Sequence, residues 1–136
     1  MWNEGRPEKL HANVAGIYPQ GIDGAITAGL QDEGFTIRCV RLDDPNEGLD
    51  QRLFEDSDVL LWWGHIAHDE VTDALVDRIQ QRVLQGMGLI VLHSGHHWKL
   101  FRRLMGTNCN LAWRELPEGD LERVWVIHPA HPIAEG

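Results

Sequence analysis

Two short stretches of the 136-residue chain hold the side chains best suited to chemistry. The first, 62-WWGHIAHDE-70, sets His65 and His68 three apart and follows them with Asp69 and Glu70. The second, 91-VLHSGHHW-98, gathers His93, Ser94, His96 and His97 around Gly95. Imidazoles titrate near pH about 6.5, so they exchange protons at neutral pH; in the neutral form they ligate borderline divalent ions such as zinc. Each stretch also has a plainer explanation. A histidine pair at this spacing recurs on protein surfaces, and Asp69 and Glu70 suit the start of a helix, where carboxylates favour the dipole. Ser94 suits a helix cap better than an activated nucleophile, because the near-side glycine of a full GxSxG elbow is missing. His97, beside Trp98, reads as a polar flank, His11 has no partner in sequence, and 128-HPAHP-132 reads as a proline-stiffened loop.

What would bring the two stretches together is their placement at strand ends. Residues 58-DVLLWW-63 and 89-LIVLH-93 are continuous apolar runs, the pattern of strands covered on both faces of a parallel sheet. Between them, Val71, Ala74, Leu75, Ile79, Val83 and Leu84 recur at helical spacing, so a helix is expected from Asp69 to Gly86. Upstream, Ile22, Ala25, Ile26 and Leu30 form a helical stripe that stops at Gly34, and 35-FTIRCV-40 alternates as a half-buried strand. A short helix is expected around residues 49 to 55 and another from about His97 to Met105. The tail, 111-LAWREL-116 with 121-LERVWVI-127, reads as a hairpin closed by PEGD. Alternating strands and helices imply right-handed crossovers and an α/β three-layer sandwich with a mostly parallel central sheet. In such a sheet the loops after the strands' carboxyl ends meet at one crevice, so both histidine loops should share it.

Composition narrows the function classes. The length suits one domain, residues 1–136. A net charge of -9 with only 12 Lys and Arg, dispersed along the chain, argues against nucleic acid as a partner. No apolar stretch approaches membrane-spanning length, and 1-MWNEGRPEKL-10 lacks the core of a signal peptide, so a cytoplasmic protein is expected. Cys39 and Cys109 form no CxxC and no disulfide framework, which agrees with a reducing compartment.

At these same residues the sequence resembles the ThuA-like (trehalose utilisation) family. The matching words are WNE at 2–4, IYPQGI at 17–22, WWGHIAHDEV at 62–71, QRVLQGMGLIVLHSGH at 81–96, LMGTNCNLAWRE at 104–115 and HPIAEG at 131–136. The resemblance implies the flavodoxin-like, class I glutamine amidotransferase-like fold, with WNE closing the first strand and relatives continuing beyond HPIAEG. It leads to the expectation that the chain is incomplete at both ends, with an open sheet edge for which a homo-oligomer is one outlet. Two departures stand out: Pro7 occupies the histidine position of WNEFRHE, and Asp23 stands where relatives often carry histidine in GIHG. The glutaminase nucleophile is a cysteine at the elbow, where this chain has His93 and Ser94, so glutaminase chemistry is not expected.

The resemblance implies a small-molecule carbohydrate partner and a role in carbohydrate metabolism. On this reading His93, Ser94 and Glu70 are the candidate catalytic groups and His65, His68 and His96 the candidate zinc ligands, with Trp63, Asn3 and Glu4 placed against the sugar. Flat indole faces pack well on sugar C–H groups, and only one of Trp62 and Trp63 can face a given layer. The rival from another class is a non-catalytic binding or assembly module that keeps the sheet alone.

Overall fold

The computed structural model describes residues 1–113, 121 and 123–135. Four parallel strands form its sheet: β1 (Trp2–Asn3), β2 (Val40–Arg41), β3 (Val59–Trp63) and β4 (Gly88–Leu92), in the order β2-β1-β3-β4. The helices are α1 (Pro7–Leu10), α2 (Ala12–Ile17), α3 (Gly21–Leu30), α4 (Gln51–Glu55), α5 (Asp73–Leu84) and α6 (Lys99–Met105). This is the α/β layered arrangement expected from the alternation of apolar runs and helical stripes, and it agrees with the flavodoxin-like fold that the resemblance implies. The two buried runs are adjacent and parallel, with Val59 opposite Gly88 and Trp63 opposite Leu92.

Register decides which side of the sheet holds the core. Opposite residues of parallel neighbours point to the same face, so Trp2, Trp62 and Val91 share one face with Leu60 and Leu89. Against that face pack Phe54 of α4, Leu75, Val76 and Ile79 of α5, and Leu100 of α6. Trp2, Trp62 and Trp98 stack in a column, with centroids 3.6 and 3.7 Å apart and planes within 8°. A column of buried indoles removes a large apolar area from water and adds about 0.5–1.5 kcal/mol per ring pair beyond that area. The opposite face carries Asn3 and Trp63 at its upper end, where α1 and α3 supply Glu8 and Asp23 as partners of Asn3. Lower on this face Val59 and Ile90 are exposed.

Several expected boundaries move. Of the segment 35–40 only Val40 pairs in the sheet, together with Arg41 just beyond it, because β1 is two residues long and its ladder starts with Val40 N–H to Met1 O at 3.0 Å. Phe35 is left exposed. The helix expected from Asp69 starts at Asp73: Thr72 is the cap, its Oγ1 accepting from Leu75 N–H, while Glu47 accepts from both Thr72 N–H and its hydroxyl. Residues His68–Glu70 instead make a single 3₁₀ turn, so Asp69 and Glu70 do not belong to the first turn of α5. Likewise His93–His97 form 3₁₀ turns, Trp98 is extended, and α6 begins at Lys99 rather than at His97. The opening segment, which lacks an apolar stripe, contains α1 and α2. Of the expected hairpin, residues 114–120 and 122 lie outside the described residues, and the described positions on either side form no strand.

Candidate functional site

The two histidine loops leave the sheet side by side because the strands that carry them are neighbours. Trp63, the last residue of β3, points away from the indole column and is 8% exposed. Its indole lies under two imidazoles: His93 stacks over it at 6.1 Å and 12°, and His65 is tilted at 6.1 Å and 36°. The His65 and His93 rings are 5.1 Å apart, both exposed. His65 Nδ1 and Ser94 Oγ share a hydrogen bond of 2.6 Å, which ties one loop to the other. His93 takes a left-handed backbone with φ of 50°, so the tight turn at the end of β4 is at the histidine, one residue before Ser94. Gly95 permits that turn: a Cβ there would sit 2.5 Å from Val91 Cγ1.

Behind this pair lie His68, His96 and His97. His97 is 4.1 Å from His96 and 6.2 Å from His68, ring to ring, and both His68 and His96 have a buried Nε2 without a hydrogen-bond partner. Burial holds the His68 imidazole below its usual range; the Glu4 carboxylate opposes this, and His97, His65 and His96 add to it. Burial also lowers His93, with His65 and His96 contributing. Both rings are therefore biased towards the neutral form. His97, read in the sequence as a polar flank, belongs to the cluster; the signal that would have placed it is the 3₁₀ turn, whose period of three brings residue 97 back beside residue 94.

The remaining candidates sit around and beneath the loops. Glu70 is exposed and bound by Arg6, whose guanidinium also pairs with Asp43 at 2.7 Å; the Arg6 hydrogen bond keeps the Glu70 carboxyl below its ordinary range. Glu70 is thus an anion at the rim. Asn3 is fully buried, its Nδ2 donating to Glu8 Oε1 and Asp23 Oδ1, both at 2.8 Å. Asp23 in turn accepts from Arg41 at 3.0 Å, so the aspartate that departs from the family's usual histidine has an internal counter-ion. Pro7 is buried in the first turn of α1, where its missing N–H costs no hydrogen bond. Glu4 is buried as well, and its oxygens accept from Ile66 and Ala67 N–H. The roles of Glu8 and Arg41 were not read from sequence, since each lies in a polar segment without a motif. His128 and His131 face each other at 6.0 Å in the tail, where His131 accepts from Ile133 N–H.

Three or more His, Cys, Asp or Glu side chains placed to hold one metal ion are not found among the described residues. Among the described residues the donors as arranged do not make a zinc cage.

The ThuA family model, described as trehalose utilisation, matches residues 8–136. The chain belongs to the ThuA family. That match runs from α1 through both histidine loops to the tail, and the family's description points this ThuA chain towards a trehalose-utilisation-related function. No curated protein matches the chain. Among the described residues, no helix is long and apolar enough to cross a membrane.

Proposed function

We propose that this ThuA-family chain binds a carbohydrate over Trp63 and that His65 and His93 move protons to and from it. The carrying observation is the hydrogen bond of 2.6 Å between His65 and Ser94, beside His93, with both imidazoles 6.1 Å from the Trp63 indole. It supports a definite division of labour. With Nδ1 committed to Ser94, the outward nitrogen of His65 is Nε2; it carries hydrogen in the imidazolium and in the neutral tautomer whose Nδ1 accepts from Ser94, and is an acceptor in the tautomer whose Nδ1–H donates to Ser94. In the imidazolium form that N–H can protonate a sugar oxygen. His93, biased to the neutral state, accepts a proton from a hydroxyl or from a carbon next to a carbonyl. The ring separation of 5.1 Å leaves both nitrogens within reach of adjacent sugar atoms.

In this reading Glu70 acts as a fixed rim anion that can accept sugar hydroxyls, because Arg6 keeps it ionised. Glu4 supports the His65 loop from beneath, while Asn3 ties the end of β1 to Glu8 and Asp23. The test is titration of the chain with trehalose, glucose and their keto derivatives, followed by tryptophan fluorescence and by ¹H NMR of the sugar in D₂O. Binding that is weakened in His93→Gln and Ser94→Ala, with solvent deuterium entering the sugar in wild type and not in His93→Gln, supports proton transfer. Binding without exchange or turnover would reduce the function to that of a binding module; no binding by any of these sugars would remove the carbohydrate reading.

A further inference from the structure

Glu4 is 1% exposed, and among the described residues it has no lysine or arginine partner. Burying a carboxylate costs several kcal/mol unless its oxygens are met by donors. Here the donors all belong to one short piece of backbone. Oε1 accepts from Ile66 N–H at 2.9 Å and Oε2 from Ala67 N–H at 2.9 Å. The residue's own N–H donates to Trp63 O at 3.1 Å, prolonging the β1–β3 ladder by one step. His65 is therefore bracketed, with residue 63 before it and residues 66 and 67 after it all bonded to Glu4. The loop's own turn bond, Glu70 N–H to Ala67 O at 3.1 Å, leaves residues 65 and 66 unconstrained.

We infer that Glu4 is a positioning residue for the candidate site: its buried carboxylate fixes the loop that aims His65 Nδ1 at Ser94 and leaves Nε2 facing outward. This rests on the reading that His65 acts on the bound sugar, and it deepens that reading by naming what holds the imidazole in place. A carboxylate suits the task because it is acceptor-only and can meet two amides at once. Glutamine keeps the shape but turns an NH₂ group towards one of them.

The experiment uses the full chain, ¹⁵N-labelled, as wild type, Glu4→Gln and Ser94→Ala, at one neutral pH and without sugar. Two-bond ¹H–¹⁵N spectra report the two ring nitrogens of His65, and amide exchange reports Ile66 and Ala67. In wild type, His65 shows a single hydrogen-bonded Nδ1 environment, and Ser94→Ala abolishes it. Glu4→Gln moves the His65 nitrogens in the same direction as Ser94→Ala and lowers protection of the Ile66 and Ala67 amides about tenfold, while β3 and β4 amides keep theirs. An unchanged His65 signal in a folded Glu4→Gln chain overturns the inference. If that variant does not fold, wild type still decides: Ile66 and Ala67 amides that exchange as fast as the exposed Asp69 amide would show that the carboxylate does not hold the loop. No readout involves a sugar, so failure of the carbohydrate reading leaves this result distinguishable.

Discussion

At the scale of single residues, the histidines are distinguished by what surrounds each ring. His93 rests on Trp63, and burial, with help from His65 and His96, holds it below the ordinary imidazole range. Its neutral form, the one able to accept a proton, therefore persists to lower pH than that of a free imidazole. The acid limb of sugar-dependent proton exchange should therefore lie below the ordinary imidazole range of about 6.5. A pH profile of deuterium incorporation checks this, and an acid limb centred above about 7 would show that another group sets the rate. Ser94 contributes through geometry. Replacing it with alanine removes one side-chain hydrogen bond at an exposed position, expected to cost about 0.5–1.5 kcal/mol of sugar affinity, roughly a twofold to twelvefold rise in Kd. Cys39 substitution, on the opposite side of β1 from the loops, serves as the control.

At the scale of elements, the strands with continuous apolar runs were legible from sequence because burial on a parallel sheet writes itself into consecutive residues. β3 and β4 lie where 58-DVLLWW-63 and 89-LIVLH-93 place them, within one residue. Thr72 and Asp50 cap their helices through local bonds that propensity alone does not rank above the acids at 69 and 70. The polar network of Asn3, Glu8, Asp23 and Arg41 was not legible, because it joins four separate segments through side chains whose pairing only the fold creates. Nor does an apolar run reveal which of its faces is the core. Leu60 is 4% exposed on the face of α5, whereas Ile90 is 50% exposed on the other. Leu60→Ala should therefore destabilise by about 2–5 kcal/mol and Ile90→Thr by less than about 1 kcal/mol, measured by urea denaturation. Equal losses would contradict a core confined to one side of β3 and β4. Gly95→Ala should also destabilise, by about 1–3 kcal/mol, since its new methyl meets Val91 at 2.5 Å and either the turn or the strand must move.

At the scale of the whole molecule, the titrating groups divide the acid side of the stability curve into two windows. His68 and His93 have folded-state pKa values below those of the unfolded chain, the former facing Glu4, His65, His96 and His97. As pH falls through about 6.5 the unfolded chain takes up these protons first, so stability rises with pH across this window and is lost on acidification. The carboxylates act at lower pH. Burial raises Glu8, but hydrogen bonds from Ile22 N–H and Asn3 outweigh it and leave the group below its ordinary range of 4.5; Asp43 is lowered by Lys9 and Arg6, and Glu70 by Arg6. Their stabilisation is complete above the unfolded carboxylate range and disappears as pH drops through the folded values. Asp43 and Glu70 are exposed, so solvent and salt screen most of their share. The first loss on acidification is thus assigned to the histidine loops. Tm should begin to fall near pH about 6.5, well before the carboxylates titrate, and His68→Asn combined with His93→Gln should flatten that limb while leaving the one below pH about 4.5 in place. Calorimetry from pH 7.5 to 3.5 at fixed ionic strength makes the measurement. A Tm that holds constant down to pH about 5 in wild type would mean that neither imidazole is held neutral by the fold, and the proton-accepting role given to His93 would lose its basis.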